Sequence, residues 1–527
     1  MPTSPSSRES SIQLSRRSFL TVSAAFAVAA LGGTRVLGAA RRPPQFAAYP
    51  FQLGVASGDP TPDGAVLWTR LAPRPQESGG GLAPLPIKVS WQVADDEAMT
   101  RIVRRGKAIA DPAWAHSVHV EVNGLQPGRW YWYQFEAGGE VSPKGRTRTL
   151  PPVDSEPDRL RFAFASCQKY ESGFFTAYEH MAREDLDLVC FLGDYVYENP
   201  ASTNVVRQHG LPEAKTLDDY RRLYAVYKMD PALQAAHALA PWIVTWDDHE
   251  VSNDYANDIP ERPGVGDPAA FLFRRAAAYR AYYEHMPLRR SALPEGPALP
   301  LYRRLDFGRL TRFHVLDTRQ YRTDQPPGLR LQQVGPRLLD STGTLLGPKQ
   351  LAWLFDGLDH SPTRWNVLVQ QVLMARVDAG PGPDVLVDVD KWAGYEYERQ
   401  RVLRHFHEKN TANPIVLSGD IHSNWANELT DDLGPSEPSR VAVEFVGTSI
   451  SSGTHGYAQP GELAAMLAKN PHVKFYNGER GYVRCEVTSK SWRTDFQTVP
   501  YVNRPDAPLN TRASFLVEEG SSRLIRL

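Results

Sequence analysis

The strongest constraint on the fold is a pattern that occurs five times along the chain, in which a short apolar stretch ends abruptly in polar residues able to do chemistry. The five stretches are residues 161–168, 187–198, 242–250, 310–320 and 414–424. Apolar runs of this length are typical of buried strands, and the helical stretches between them predict an α/β fold. A single aspartate after a strand commonly caps the next helix. Five such strand ends together indicate a binding site at the carboxyl edge of a sheet, where α/β folds hold their ligands.

The first 40 residues have the pattern of an export signal. Arg16 and Arg17 precede an apolar run at residues 19–33, and small residues follow it. The run is shorter than the about 20 apolar residues that span a bilayer, so it is typical of a cleavable signal. The arginine pair predicts the twin-arginine type, which exports folded proteins; a Sec signal or an uncleaved anchor with a chance arginine pair is the alternative. We therefore expect a periplasmic or secreted protein whose partner during export is the twin-arginine translocase.

Composition excludes two classes of protein. The 59 Lys and Arg residues are balanced by 60 Asp and Glu, so the chain lacks the bulk positive charge of a nucleic-acid-binding protein. Three cysteines are too few for a disulfide framework. Cys190 and Cys485 are expected in the core, whereas Cys167 ends a strand beside polar residues, where it is either an ordinary buried thiol or one of the chemical groups of that strand end. No stable nucleic-acid or membrane partner is predicted.

Residues 48–150 have the character of an all-β sandwich. The predicted strands are residues 65–70, 87–93, 118–122 and 129–135. Turn residues separate them, and the last strand is aromatic and follows Pro127 and Gly128, which is similar to the tyrosine-corner region of fibronectin-type sandwiches. We expect a domain with a packing or interaction role, joined to the rest of the chain by a proline-rich linker at 151–157.

The residue types at the five strand ends point to bound metal ions. They include carboxylates, an imidazole, a thiol and a phenol. Such groups gathered in one place would repel one another or stay unsatisfied unless cations lay among them. Metal-assisted chemistry is therefore the simplest use of this edge.

Three strand ends resemble the motifs of the binuclear metallophosphatases. They read Gly193-Asp194, Asp248-His249-Glu250 and Gly419-Asp420-Ile421-His422. Three departures from the usual metallophosphatase pattern match the PhoD-like alkaline phosphatases. The first strand ends in Ser166-Cys167-Gln168 rather than in an Asp-x-His motif, Asp248 precedes His249 where an asparagine is usual, and Asp420 stands where the last motif usually has its first histidine. Further matching motifs are residues 51–60, 316–321, 347–354 and 445–449. One position departs from this branch, because Ala393 stands where an acidic residue is often found.

The resemblance implies a fold and a metal centre. The implied fold is α/β, with a metallophosphatase-like central β-sandwich flanked by helices at residues 158–505, preceded by an all-β fibronectin- or Ig-like sandwich at 48–150. The implied metals are a ferric ion and calcium ions. Their ligands would be Cys167, Asp194, Tyr197 and His422 for iron, and Asp194, Asp420 and either Asp248 or Asn253 for calcium. Thiolate and phenolate donors suit ferric iron, and carboxylate and amide oxygens suit calcium. Tyr195 is a rival of Tyr197.

The implied reaction is metal-assisted hydrolysis of phosphomonoesters and phosphodiesters outside the cytoplasm, which would serve to scavenge phosphate. A hydroxide attacks phosphorus in line, and no serine nucleophile is required. His249 is expected either to protonate the departing oxygen or to cap or orient a ligand. Arg319 is expected to contact phosphate, with an internal ion pair as the alternative.

Two other functions remain open from the sequence. A phosphodiesterase or phospholipase-D-like enzyme on the same scaffold would share every metal ligand and differ in loops such as 198–217 and 380–390. An exported binding module with a purely structural metal would have closed coordination and no hydrolytic activity.

Overall fold

Two β-sheets packed face to face lie at the centre of the fold, with helices on both outer faces. The computed structural model describes residues 45–261, 267–380, 382–431, 439–453 and 460–527. Residue contacts divide the chain into Met1–Pro43, none of which is described, and Pro44–Leu527, to which everything below belongs. The predicted export signal at 1–40 thus lies outside the described residues.

The elements are numbered in chain order. The strands β1 to β24 are Val55–Thr61, Gly64–Arg70, Ile87–Ala94, Ile102–Ala110, Ser117–Val122, Trp130–Ala137, Glu140–Val141, Gly145–Arg148, Arg159–Ala165, Leu188–Phe191, Trp242–Val244, Arg303–Phe307, Thr311–Val315, Leu331–Gln333, Trp365–Val369, Leu386–Asp388, Pro414–Ser418, Asn424–Asp431, Ser439–Val446, Val473–Asn477, Arg480–Thr488, Ser491–Val499, Asn510–Glu518 and Ile525–Arg526. The helices α1 to α7 are Thr176–Met181, Leu217–Lys228, Pro231–Leu239, Pro268–His285, Gly347–Asp359, Glu396–Glu408 and Pro460–Lys469.

The strands form two large sheets and two smaller ones. The first large sheet has the order β24-β23-β22-β21-β9-β10-β11-β1-β2-β5, with β9, β10 and β11 as parallel neighbours. The second has the order β12-β13-β15-β17-β19-β18-β20, with β13, β15, β17 and β19 parallel. A smaller sheet has the order β4-β3-β6-β7 with β8 also on β6, and β14 pairs with β16.

Apolar side chains fill the space between these layers. Phe162, Cys190 and Leu417 belong to the core between the two large sheets, where burial of apolar surface supplies most of the folding free energy. Helices α1 to α4 pack on the outer face of the first sheet, and α5 and α6 pack on the outer face of the second. This confirms the predicted α/β fold with a central sandwich flanked by helices. Among helices in the described ranges, none combines the length and apolar character that crossing a bilayer requires.

The all-β sandwich predicted near the start of the chain is also present. β1, β2 and β5 face the smaller sheet of β3, β4, β6 and β8 across a core that includes Val55, Val89 and Tyr133. The Tyr131 hydroxyl accepts the Gln126 N–H at 2.8 Å and lies 3.3 Å from the Gln126 carbonyl, which is the tyrosine-corner arrangement. The sequence did not predict that β1 also pairs with β11, so that both sandwiches share one sheet.

The parallel strands place the five predicted strand ends along one rim of the central sandwich. Cys167 follows β9, Asp194 follows β10 and Asp248 follows β11, and these three strands are adjacent. Asp317 follows β13 and Asp420 follows β17 in the facing sheet. A bridge between Ser166 and Ser449 joins the two groups of strand ends. Residues more than 200 positions apart in sequence therefore meet at one edge.

Candidate metal centre

The backbone at this edge adopts a conformation that is uncommon for side chains with a β-carbon. Cys167, Asp194, Asp420 and His422 all have positive φ, between 53° and 65°. Left-handed backbone costs free energy at such residues and persists where the surrounding structure enforces it, frequently at functional sites. Gly193 has a φ of +108°, and a β-carbon there would lie 2.5 Å from the Asp247 nitrogen. The conformation of the turn after β10 thus fixes the position of Asp194.

Two groups of metal-ligating side chains form at the edge. The first cluster is Cys167, Asp194 and His422, and the second cluster is Asp194, Asp248 and His249. Within each cluster the candidate ligand atoms lie within 4.8 Å of one another. Asp194 belongs to both, which is the position that a carboxylate bridging two cations requires.

Tyr197 joins the first cluster, and its rival Tyr195 does not. The Tyr197 hydroxyl donates to Asp194 Oδ2 at 2.9 Å and lies 3.2 Å from His422 Nε2. The Tyr195 hydroxyl instead lies 2.9 Å from His237 Nε2 in the apolar core under the first sheet. The turn after Asp194 therefore directs two nearby tyrosines to opposite surroundings.

The structure holds the other predicted calcium ligands in three different ways. These ligands are Asp248, Asn253 and Asp420. Asp248 contributes its carboxylate to the second cluster, and its Oδ2 accepts the Asp254 N–H at 2.6 Å. Asn253 lies on the loop that follows, with its backbone N–H donated to Glu198 Oε1 at 2.8 Å. The ligand atoms of Asp420 belong to neither cluster, and this partly buried carboxylate forms an ion pair with Lys391.

The electrostatics of the clusters fit bound cations. Burial raises the pKa of Asp194 well above its usual range, and the nearby carboxylates of Asp248, Glu250 and Asp420 raise it further. Burial and the Asp194 carboxylate likewise raise the pKa of the Cys167 thiol. The charged forms of these crowded anionic groups are stabilised only when positive charge lies among them.

The donor set also matches two kinds of cation. Burial, together with the positive charge of Arg480, lowers the pKa of His422 to about 3, so its imidazole is neutral and free to ligate. A thiol, a phenol and an imidazole around one carboxylate suit a transition metal such as ferric iron. Carboxylates without a thiol suit a hard cation such as calcium. The residues present therefore fit the metals that the resemblance implies.

His249 is held by the carboxylate of Glu198, which was not among the predicted site residues. Its Nδ1 lies 2.6 Å from Glu198 Oε2, and its ring packs 4.2 Å from the ring of Tyr197. Burial lowers the pKa of His249, but Glu198, Asp248 and Asp194 outweigh that effect and raise the pKa well above its usual value. The only signal for Glu198 in the sequence is its place directly after Tyr197.

Arg319 lies in an internal ion-pair network. Its side chain is fully buried, with Nε 2.5 Å from Asp247 Oδ1 and the two terminal nitrogens 2.8 and 2.9 Å from the Asp390 carboxylate. The structure thus contains the internal ion pair that was expected as the alternative to a phosphate contact. Contact between Arg319 and a substrate phosphate stays a prediction.

Glu250 is a second residue whose role the sequence did not reveal. Its carboxylate accepts the backbone N–H groups of Asp194 at 3.0 Å, Tyr195 at 2.6 Å and Asp247 at 2.8 Å. It thereby ties the turn after β10 to the turn after β11. The side chain directly after His249 in the motif thus holds in place Asp194, the residue that the two clusters share.

We expect Glu250→Gln to lower the free energy of unfolding by about 1–3 kcal/mol. Both carboxylate oxygens of Glu250 accept backbone N–H groups, and in glutamine an N–H₂ group replaces one of these oxygens, so at least one buried backbone N–H loses its acceptor. The shift of the urea unfolding midpoint measures this effect. Glu77→Gln is the control, since Glu77 is half exposed and forms only a surface ion pair with Arg74; such changes cost about 0.5 kcal/mol or less. Equal midpoints for the two variants would show that Glu250 does not brace the turns.

Comparison with known proteins relates this chain to the PhoD-like phosphatases. The sequence model of the PhoD-like phosphatase family matches residues 162–496, and the sequence model of the family's N-terminal domain matches residues 38–151. Alkaline phosphatase D of Bacillus subtilis (strain 168) is 48% identical over 486 residues, which are 91% of this chain and 83% of that protein. A solved structure of PhoD matches with a TM-score of 0.89 and 48% identity, covering 92% of this chain and 93% of the other.

Proposed function

The chain belongs to the PhoD-like phosphatase family, and on this premise we propose that it is an exported alkaline phosphatase that hydrolyses phosphomonoesters and phosphodiesters at an iron and calcium centre. Its membership makes it a phosphoric ester hydrolase. The observation that carries the proposal is the pair of ligand clusters sharing Asp194 at the carboxyl edge of the sandwich. Its physiological role would be to scavenge phosphate.

We assign the ferric ion to Cys167, Asp194, Tyr197 and His422. Calcium is assigned to Asp194, Asp420 and one of Asp248 and Asn253. The first cluster and the Tyr197 contacts support the iron set, and the carboxylates of the second cluster support the calcium set. When bound, such cations act as Lewis acids that polarise phosphoryl oxygens and lower the pKa of attacking water.

The chain's own groups would position the reaction. His249 would donate a proton to the leaving oxygen from Nε2, because Glu198 occupies its Nδ1 at 2.6 Å. Lys391 would hold Asp420 through their ion pair. Arg319 would fix Asp247 and Asp390 around the second cluster, besides any contact with phosphate. No serine nucleophile is involved, so no covalent phosphoenzyme is expected.

The export route and the domain limits belong to the same proposal. Residues 1–40 would be a twin-arginine signal, and the mature protein would be periplasmic or secreted. Residues 48–150 would form the N-terminal sandwich domain, and residues 158–505 the catalytic domain. Arg16 and Arg17 before the apolar run support the signal, and the β-sandwich core around Val89 supports the first domain.

The test is hydrolysis of an aryl phosphate and a bis-aryl phosphate by folded protein purified without chelator. We expect iron and calcium in the protein and turnover of both esters, with chelation lowering activity by more than about 100-fold, since the ligands themselves contribute more than the outer-shell groups whose loss costs 10–100-fold. Activity should return on adding ferric iron with calcium.

Three results would count against this assignment. Full activity after chelation would exclude a metal enzyme. Restoration by zinc alone would exclude the iron and calcium centre. Turnover of diesters with none of monoesters would identify the phosphodiesterase or phospholipase-D-like alternative, with specificity set by the loops at 198–217 and 380–390.

A further inference from the structure

The positive side chains around the two clusters are almost all committed to other groups. Arg319 and Arg322 both pair with Asp390, and Lys391 pairs with Asp420. Arg330, at the rim, pairs with Asp254 and Asp388. Arg480 is buried and donates to Ser449 Oγ at 2.6 Å. Each of these charges is either neutralised by a carboxylate or held by neutral oxygens inside the protein.

Lys169 differs from these side chains because its positive charge is partly exposed beside the first cluster. It lies two residues after Cys167 and is partly exposed, and its Nζ lies 5.6 Å from the centre of the Tyr197 ring. Among the residues that the structure describes, no carboxylate lies within ion-pair distance of its ammonium group. An ammonium on a flexible four-carbon stem can turn toward a ligand that enters beside it.

Two hydrogen bonds hold the backbone of Lys169. Its N–H donates to Ser452 Oγ at 2.9 Å, and its carbonyl accepts from Ser451 Oγ at 2.8 Å. Ser452 Oγ also lies 2.8 Å from the Tyr197 hydroxyl. The same serine therefore ties the main chain of Lys169 to the first cluster, so the base of this lysine has a set position relative to the ligands.

We propose that Lys169 binds a non-bridging phosphoryl oxygen of the substrate and favours monoesters over diesters. This rests on the proposed phosphatase function. A monoester above the second phosphate pKa of about 6 carries nearly two negative charges, whereas a diester carries one. A partly exposed ammonium beside the first cluster therefore attracts the monoester more strongly. The guanidinium of Arg319 is already paired with Asp247 and Asp390, so Lys169 would contact the phosphate in its place.

Lys169→Met tests the proposal in the metal-loaded protein. We expect the affinity for inorganic phosphate, measured by calorimetry, and kcat/KM for an aryl phosphate to fall by about 10- to 100-fold, the range for losing a hydrogen bond to a charged group. The kcat/KM for a bis-aryl phosphate should fall several-fold less. Lys169→Arg should restore most of both values, because it keeps the charge, and Lys144→Met, an exposed lysine on the N-terminal sandwich, should change neither.

Two outcomes overturn the proposal. Unchanged phosphate affinity and an unchanged ratio of monoester to diester kcat/KM in Lys169→Met would show that this lysine does not contact substrate. Loss of iron or calcium from the variant would make it part of the metal site instead. An inactive wild-type protein with bound metal would refute the phosphatase function itself, which is a distinct result.

Discussion

Asp194→Asn is expected to remove both metals and lower kcat by more than about 100-fold, since a shared ligand contributes more than an outer-shell partner. The reason is the membership of Asp194 in both clusters. Asparagine keeps the shape of the side chain but loses the negative charge that a bridging position requires. Metal content by mass spectrometry and hydrolysis of an aryl phosphate are the two measurements.

This substitution separates ligation from folding. Asp194 has a φ of 58°, and asparagine tolerates that left-handed backbone well. Its backbone N–H can still donate to Glu250. Asp506→Asn is the matched control, because Asp506 is exposed and has a φ of 62° away from the site. If Asp194→Asn kept iron and calcium at wild-type levels, the bridging assignment would be wrong.

The elements that carry the site could be predicted because local pattern determines them. Apolar runs ending at Cys167, Asp194 and Asp248 correspond to β9, β10 and β11, and these strands are parallel neighbours. Parallel strands share a carboxyl edge, so the meeting of their terminal residues follows from the strand assignment. The pairing of β1 with β11, which joins the two sandwiches, had no local signal, and neither did the antiparallel strands β21, β22 and β23 that extend the first sheet.

The details within the site depend on long-range contacts and could not be predicted in this way. Arg319 and Asp390 are 71 positions apart, and their pairing depends on loop paths that no periodic pattern encodes. Tyr195 and Tyr197 differ by two positions, and the left-handed turn at Asp194 decides which one reaches His422. The role of Glu250 depends on three backbone N–H groups from two separate turns, and no pattern in the sequence shows that they meet.

Cys167→Ala is expected to remove iron but to leave calcium bound, and to lower kcat by more than about 100-fold. Cys167 belongs to the first cluster alone, whereas the second cluster consists of Asp194, Asp248 and His249. Alanine, like cysteine, is neither β-branched nor bulky, so it can take up the φ of 57° at this position and the turn should keep its shape. The separate loss of one metal is the result that distinguishes Cys167→Ala from Asp194→Asn.

Cys190→Ala provides the matched control, because Cys190 is also fully buried but lies in the apolar core between the sheets. Burial raises the pKa of its thiol, and a neutral thiol surrounded by apolar side chains is a packing group. Its removal should cost about 1 kcal/mol or somewhat more of stability through the cavity it leaves, with iron and activity unchanged. If iron were retained in Cys167→Ala, the thiolate would not be a ligand, and the iron would have to be held by Asp194, Tyr197 and His422 without it.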